Sequence, residues 1–316
     1  MNATAKTAVL LLAHGSPDRP EDVPEFLRHV TGGRALPPAA VAEIQRRYAR
    51  IGRSPLTEVT MLQGALLARE LKLPVYVGMR NWAPFIADVL RQMSAEGVQH
   101  VVALCLAPHN SRTSVGLYRS AAEGGARFEH FDFVESWHDH PLLIRAFAEK
   151  LETGWKHACQ ELGARVPIIF TAHSVPSRTI LEGDPYEAQV RETASLVAIQ
   201  MSSLTVDDWT FAFQNQGMSG GPWLGPMVED AIRGLKQKGH RGVFLQPIGF
   251  VCDHVEVLYD IDVAFREFAE REGMKLWRAQ SLNDSSTFIA ALADVVRSRL
   301  ARAEPAKPLV QIAKPQ

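Results

Sequence analysis

Continuous apolar runs of strand length, each followed by a longer amphipathic stretch, repeat along this chain and leave it few folds. The runs cover residues 8–13, 75–78, 101–106, 131–134, 166–171, 209–213, 242–247 and 275–279. A strand that is apolar on every residue, rather than on alternate ones, belongs to a sheet buried on both faces. The intervening stretches 38–51, 57–71, 84–96, 141–162, 185–201, 225–238, 254–272 and 285–301 carry helical periodicity, several with Pro or an acidic residue in the first turn. Strand–helix alternation of this kind builds a parallel α/β sheet.

The strand candidates divide four and four around the long helix 141–162, and the two halves open alike. Leu11-Leu12-Ala13-His14-Gly15-Ser16-Pro17 answers Phe170-Thr171-Ala172-His173-Ser174-Val175-Pro176. In each, an apolar strand runs into Ala-His, then small residues and Pro. We therefore expect two similar Rossmann-like domains with four-stranded parallel sheets and a cleft between them: residues 7–140, and residues 141–303 closed by the terminal helix. A single eight-stranded sheet is the alternative. The tail 304–316, with three prolines and two lysines, is expected to be flexible.

With 46% apolar residues over 316 positions, the chain can fill cores of that size. Its formal net charge of -1 argues against nucleic acid as a main partner, since phosphate binding wants a basic face. The three cysteines, Cys105, Cys159 and Cys252, are far apart and form no CxxC pair, so they read as ordinary buried thiols. A reducing cytoplasm suits them. Residues 1–6 are too short and polar for a secretory signal, and no run approaches the ~20 apolar residues that span a bilayer.

In open α/β sheets, ligands bind beyond the carboxyl ends of the strands. His14, His109, His173 and His254 follow the first, third, fifth and seventh strand candidates. Any one of them alone is more simply a capping group; the four together favour a site, because neutral imidazole binds transition metals and titrates near neutrality. The densest cluster is 249–260, where Asp253 suits a helix cap and Glu256 and Asp260, four apart, share one helix face. Such carboxylates pass a hydrated cation inward or shuttle protons, unless they are merely a solvated surface. Their neighbours Val255, Val257, Leu258 and Tyr259 argue for burial. HExxH, GxGxxG and Walker A patterns are absent from the sequence. What remains is a His/carboxylate site that holds a divalent cation weakly while something else accepts it.

From residue 8 to about 301 the chain resembles the ferrochelatase family. The resemblance rests on Ser54-Pro55-Leu56, residues 78–85 (GMRNWAPF), Leu106-Ala107-Pro108-His109, Glu135-Ser136-Trp137, Ala172-His173-Ser174, Gly183-Asp184-Pro185-Tyr186, Gln214 with Pro222-Trp223-Leu224-Gly225-Pro226, Pro247-Ile248-Gly249-Phe250, residues 253–259 (DHVEVLY) and Ser281-Leu282-Asn283. It implies insertion of ferrous iron into protoporphyrin IX or coproporphyrin III in haem synthesis, with iron and porphyrin as substrates and no permanently bound cofactor. His173 and Glu256 are then the catalytic and metal-binding pair across the porphyrin plane, with Asp260 as an outer relay. Candidates for porphyrin binding are His14, Ser54, Arg47, Arg112, Trp223 and Phe250, while Trp137 and Tyr186 lie in the same family blocks. A cytoplasmic enzyme is implied, in transient contact with haem-pathway enzymes or a membrane surface.

The chain departs from the pattern in places. His14 stands where coproporphyrin-specific members commonly have Tyr, and Ala264 stands one turn beyond Asp260 where some relatives carry an acid, leaving Asp262 as a substitute. The cluster cysteines of animal members are missing, so no iron–sulfur cluster is implied. The alternatives are a non-catalytic porphyrin or haem carrier and a cobaltochelatase of tetrapyrrole synthesis.

Overall fold

The computed structural model describes residues 6–125, 127–216 and 221–303; the tail 304–316 lies outside the described residues. The first half runs β1 (Thr7–Ala13), α1 (Val23–Val30), α2 (Pro38–Ile51), α3 (Leu56–Leu71), β2 (Val75–Met79), α4 (Ile86–Ala95), β3 (His100–Cys105), α5 (Val115–Glu123) and β4 (His130–Val134). The long α6 (Pro141–Leu162) leads to β5 (Ile168–His173), α7 (Ser177–Leu181), α8 (Tyr186–Gln200), β6 (Trp209–Gln214), α9 (Val228–Gln237) and β7 (Gly242–Pro247). Then come α10 (Val255–Leu258), a π turn (Asp260–Phe265), α11 (Arg266–Arg271), β8 (Lys275–Arg278) and α12 (Ser286–Ala303).

Among the described residues the strands form two four-stranded sheets, ordered β2-β1-β3-β4 and β6-β5-β7-β8, with every pairing parallel. The second order repeats the first, so His14 and His173 leave equivalent central strands. A single eight-stranded sheet is thereby excluded.

Alternate residues of a strand face opposite sides, and each side here meets helices. Val9 and Leu11 of β1 share a core with Phe170 of β5, Phe147 and Leu151 of α6, and Phe288 and Leu292 of α12. Leu10 and Leu12 face outward onto Ile86, Leu90 and Tyr118. Ile169, Val243 and Leu245 face outward in the second half onto Ile232, Ile261 and Ala269. The terminal helix α12, expected to close the second half, packs on α3 and β3 of the first half as well as on α6. A separate small core of Val23, Phe26, Leu27 and Tyr48 holds the α1–α2 hairpin, with Trp82 and Val255 packed against it.

Among the described residues, three short α-helices lie outside the expected ones: α1, α5 and α7. The stretch expected as one helix over 254–272 is instead α10, the π turn and α11, with Ala264 N–H donating to Tyr259 O at 2.9 Å in the i→i+5 pattern. No helix among the described residues is long and apolar enough to cross a membrane.

Candidate active site

The site forms where β1, β5 and β7 end. Gly15, at φ +80°, turns the chain sharply after His14, and a Cβ there would meet Trp82 N at 2.8 Å. At the end of β7, a Cβ on Gly249 would meet Ala172 Cβ at 2.9 Å, so only glycine lets the 249–254 loop lie against the strand that carries His173. That loop is anchored from below. Asp253 accepts from Arg278 NH2 at 3.2 Å, Ser281 Oγ at 2.7 Å and Asn283 Nδ2 at 2.9 Å. Asp253 is therefore not the helix cap that its place in the sequence suggests: His254 holds the N-cap position without a side-chain cap bond. A half-buried carboxylate beside a guanidinium gains more from that pair than from a helix end.

Three imidazoles are set alike. His14 Nδ1 lies 3.0 Å from Gly15 O, His173 Nδ1 2.6 Å from Ser174 O, and His254 Nδ1 3.1 Å from Cys252 O. A carbonyl only accepts, so each Nδ1 carries the proton and each Nε2 keeps its lone pair when the ring is neutral. The Glu256 carboxylate lies between two of those nitrogens, Oε1 4.0 Å from His173 Nε2 and Oε2 3.8 Å from His254 Nε2. Burial pushes the Glu256 pKa up, but the charges of His173, His254 and His14 outweigh it and hold the group at about 2. The His14 pKa is lowered by the low-dielectric walls of the cleft and, secondarily, by the Arg80 charge.

Asp260 is buried and has both oxygens engaged: Oδ2 accepts from Asn215 Nδ2 at 2.7 Å and Oδ1 from Arg47 NH1 at 3.2 Å. Burial and the Glu256 charge nevertheless raise its pKa to about 6. Arg47 comes from α2 of the first half, also pairs with Glu43, and lies over the Tyr259 ring. Its guanidinium thus ties the two halves together beside the site. Asp262 turns away to Arg278, with an oxygen 2.7 Å from Arg278 Nε, and does not continue the acidic face.

The structure brings His14, His173, Glu256, Asp260 and Arg47 together. Phe250 lies in the same place, its ring 4.5 Å from that of His254, where it braces the imidazole. Trp223 is half-buried and bridges to Pro176, just after His173. Ser54 is buried with its Oγ unpartnered, and Arg112 is held by Glu182 at 2.6 Å and by Thr179 O at 3.1 Å; neither contacts the histidines. His109 is also apart: it is buried, bonds Thr193 Oγ1 at 3.0 Å, and burial drives its pKa to about 3. Trp137 is core, and Tyr186 is buried with its hydroxyl donating to His173 O at 2.9 Å. Cys252 and Cys105 are buried, and burial raises Cys252 to about 12 and Cys105 further. Among the described residues no three His, Cys, Asp or Glu side chains are placed together so as to hold a metal ion.

Reading by residue type counted His254 among the four strand-end histidines without giving it a role, and assigned none to Arg80, Gln214 and Asn215. Of these, Arg80 and Gln214 had a signal, since Arg80 lies in the 78–85 block directly after β2 and Gln214 is among the family matches; the Arg80 Nε is buried and unpartnered near His14.

The family model for ferrochelatase matches residues 6–300. The chain belongs to the ferrochelatase family. It is 51% identical over 313 residues to a ferrochelatase of Acidobacterium capsulatum, covering 94% of this chain and 95% of that one. It is 34% identical over 310 residues to a coproporphyrin III ferrochelatase of a Geobacillus species, covering 94% and 99%. Among solved structures, SirB from Bacillus subtilis with Fe3+ superposes with a TM-score of 0.55 at 12% identity, covering 94% of this chain and 96% of that one, which shows a shared fold.

Proposed function

We propose that the protein is a ferrochelatase that inserts Fe2+ into a porphyrin with release of two protons, as a step of haem synthesis. One observation carries this reading: a carboxylate set between the Nε2 atoms of two imidazoles, at the facing ends of duplicated strands.

Each roles follows from that geometry. Once His173 carries a proton, its charge holds the Glu256 carboxyl well below the usual carboxylate range, so Glu256 serves as the anion of the site. His173 Nε2 takes the pyrrole proton. Glu256 stabilises the imidazolium that forms and relays its proton, through the oxygen that faces His254, to that ring and outward, which leaves His173 neutral for the second pyrrole proton. Both pyrrole protons leave this way while iron replaces them in the ring. His14, from the first half, offers a third imidazole to the approaching cation. A few mixed ligands suit a metal that must be let go better than a closed four-ligand cage does. No resident cofactor is needed, and the porphyrin is received from a preceding enzyme or at a membrane surface.

The test is an anaerobic assay with Fe2+, offering protoporphyrin IX and coproporphyrin III separately. Turnover of either is expected, and the preferred porphyrin tells whether the step ends haem synthesis or precedes decarboxylation. Glu256→Gln should lower kcat by roughly a hundredfold or more while porphyrin binding persists. Binding of both porphyrins without metallation by the unaltered chain would mark it as a carrier instead.

A further inference from the structure

We propose that Gln214 is a positioning residue that sets the distance between His173 and Glu256. The proposal rests on the metal-insertion reading above and deepens it.

His173 ends β5, whereas Glu256 lies on α10, which follows β7 and a loop. Two groups on such separate elements keep a working separation only if something rigid spans them. Gln214 is fully buried at the last position of β6 and is the register partner of His173, with Ser174 N–H donating to Gln214 O at 2.8 Å. Its backbone is thus locked to the strand end that carries the base. Its side chain reaches the other way: Nε2 donates to the main-chain carbonyl of Glu256 at 3.2 Å. The amide cannot rotate freely, because its Oε1 accepts from Thr171 Oγ1 at 3.3 Å, two residues before His173. Strand β5 therefore holds Gln214 at two points, and Gln214 holds α10 at one.

The next residue extends the arrangement. Successive strand side chains point to opposite faces, yet Asn215 also reaches the segment that carries Glu256, donating to Asp260 at 2.7 Å. It does so because its φ of +56° turns the chain into the left-handed region that Asn tolerates.

Gln214→Leu keeps the side-chain bulk and removes both amide bonds. Its kcat for Fe2+ insertion should fall roughly tenfold or more, with KM for iron and porphyrin within about twofold. Thr171→Val frees the amide to rotate and should give a smaller loss, also in kcat. A merely structural residue would instead lower the thermal midpoint and the active fraction and leave kcat per active site unchanged. Unchanged kcat in Gln214→Leu overturns the proposal. If that variant does not fold, unchanged kcat in Thr171→Val overturns it. An unaltered chain that metallates neither porphyrin defeats the functional reading itself, and so is distinguishable from either result.

Discussion

Asp260 shows two opposing influences on one carboxyl. Arg47 and Asn215 bond its anion, but burial and the neighbouring Glu256 charge win and raise its pKa to about 6. A raised carboxyl pKa means that the folded state binds a proton which the unfolded chain releases nearer pH 4. Stability from this group is therefore greatest in acid and is lost as pH rises through about 6. Asp260→Asn, a mimic of the protonated form, should raise stability at pH 8 by on the order of 1–3 kcal/mol and give no gain at pH 4, as followed by denaturant unfolding. The same variant should slow iron uptake, seen as an altered dependence of rate on iron concentration. His173→Ala removes the base and should abolish insertion with the unfolding midpoint nearly unchanged, because the ring is partly exposed in the cleft and its one bond goes to Ser174 O. Near-normal turnover of that variant would refute the role. At this scale His14, His173 and Glu256 were legible, since residues after apolar strands lie at the ligand-binding edge.

Element boundaries carry the second lesson. The buried residues Val257, Ile261, Phe265 and Ala269 recur every four positions. An α-helix has 3.6 residues per turn, so a stripe of that spacing drifts off the face that packs on the sheet. The π turn over Asp260–Phe265 winds more residues into one turn and returns the stripe to the core, with Ile261 and Phe265 packed beside β7 residues Val243 and Leu245. The strict four-residue spacing was present in the sequence, although it was read as one continuous helix. The loop before α10 depends on Gly249 in the same local way. Gly249→Ala would drive a methyl into Ala172 and shift the loop that carries His254, so kcat should drop roughly tenfold or more while the far-ultraviolet spectrum stays unchanged. Unaltered kcat would show that the loop does not depend on that close approach.

At the scale of the whole molecule, the two sheets share one core through α6 and α12. Phe288 of α12 is fully buried, and its ring lies 6.1 Å from that of Trp137. Phe288→Ala should cost about 3–5 kcal/mol and lower the midpoint of one cooperative transition for both halves in calorimetry, because no surface inside the shared core separates them. Two resolved transitions would show that the halves unfold independently. The sequence by itself determined the strand and helix alternation, the four-plus-four duplication, and the placing of histidines and acids at strand ends, because these follow from local periodicity and from the direction of parallel strands. Only the tertiary structure decided which groups meet. Arg47 bonds Asp260 across 213 positions, Gln214 bonds Glu256 across 42, and Asp253 is held by Arg278 instead of capping a helix. Such pairings depend on the packing of distant segments, and hydrogen bonds and charges act over a few ångströms of space whatever the separation along the chain.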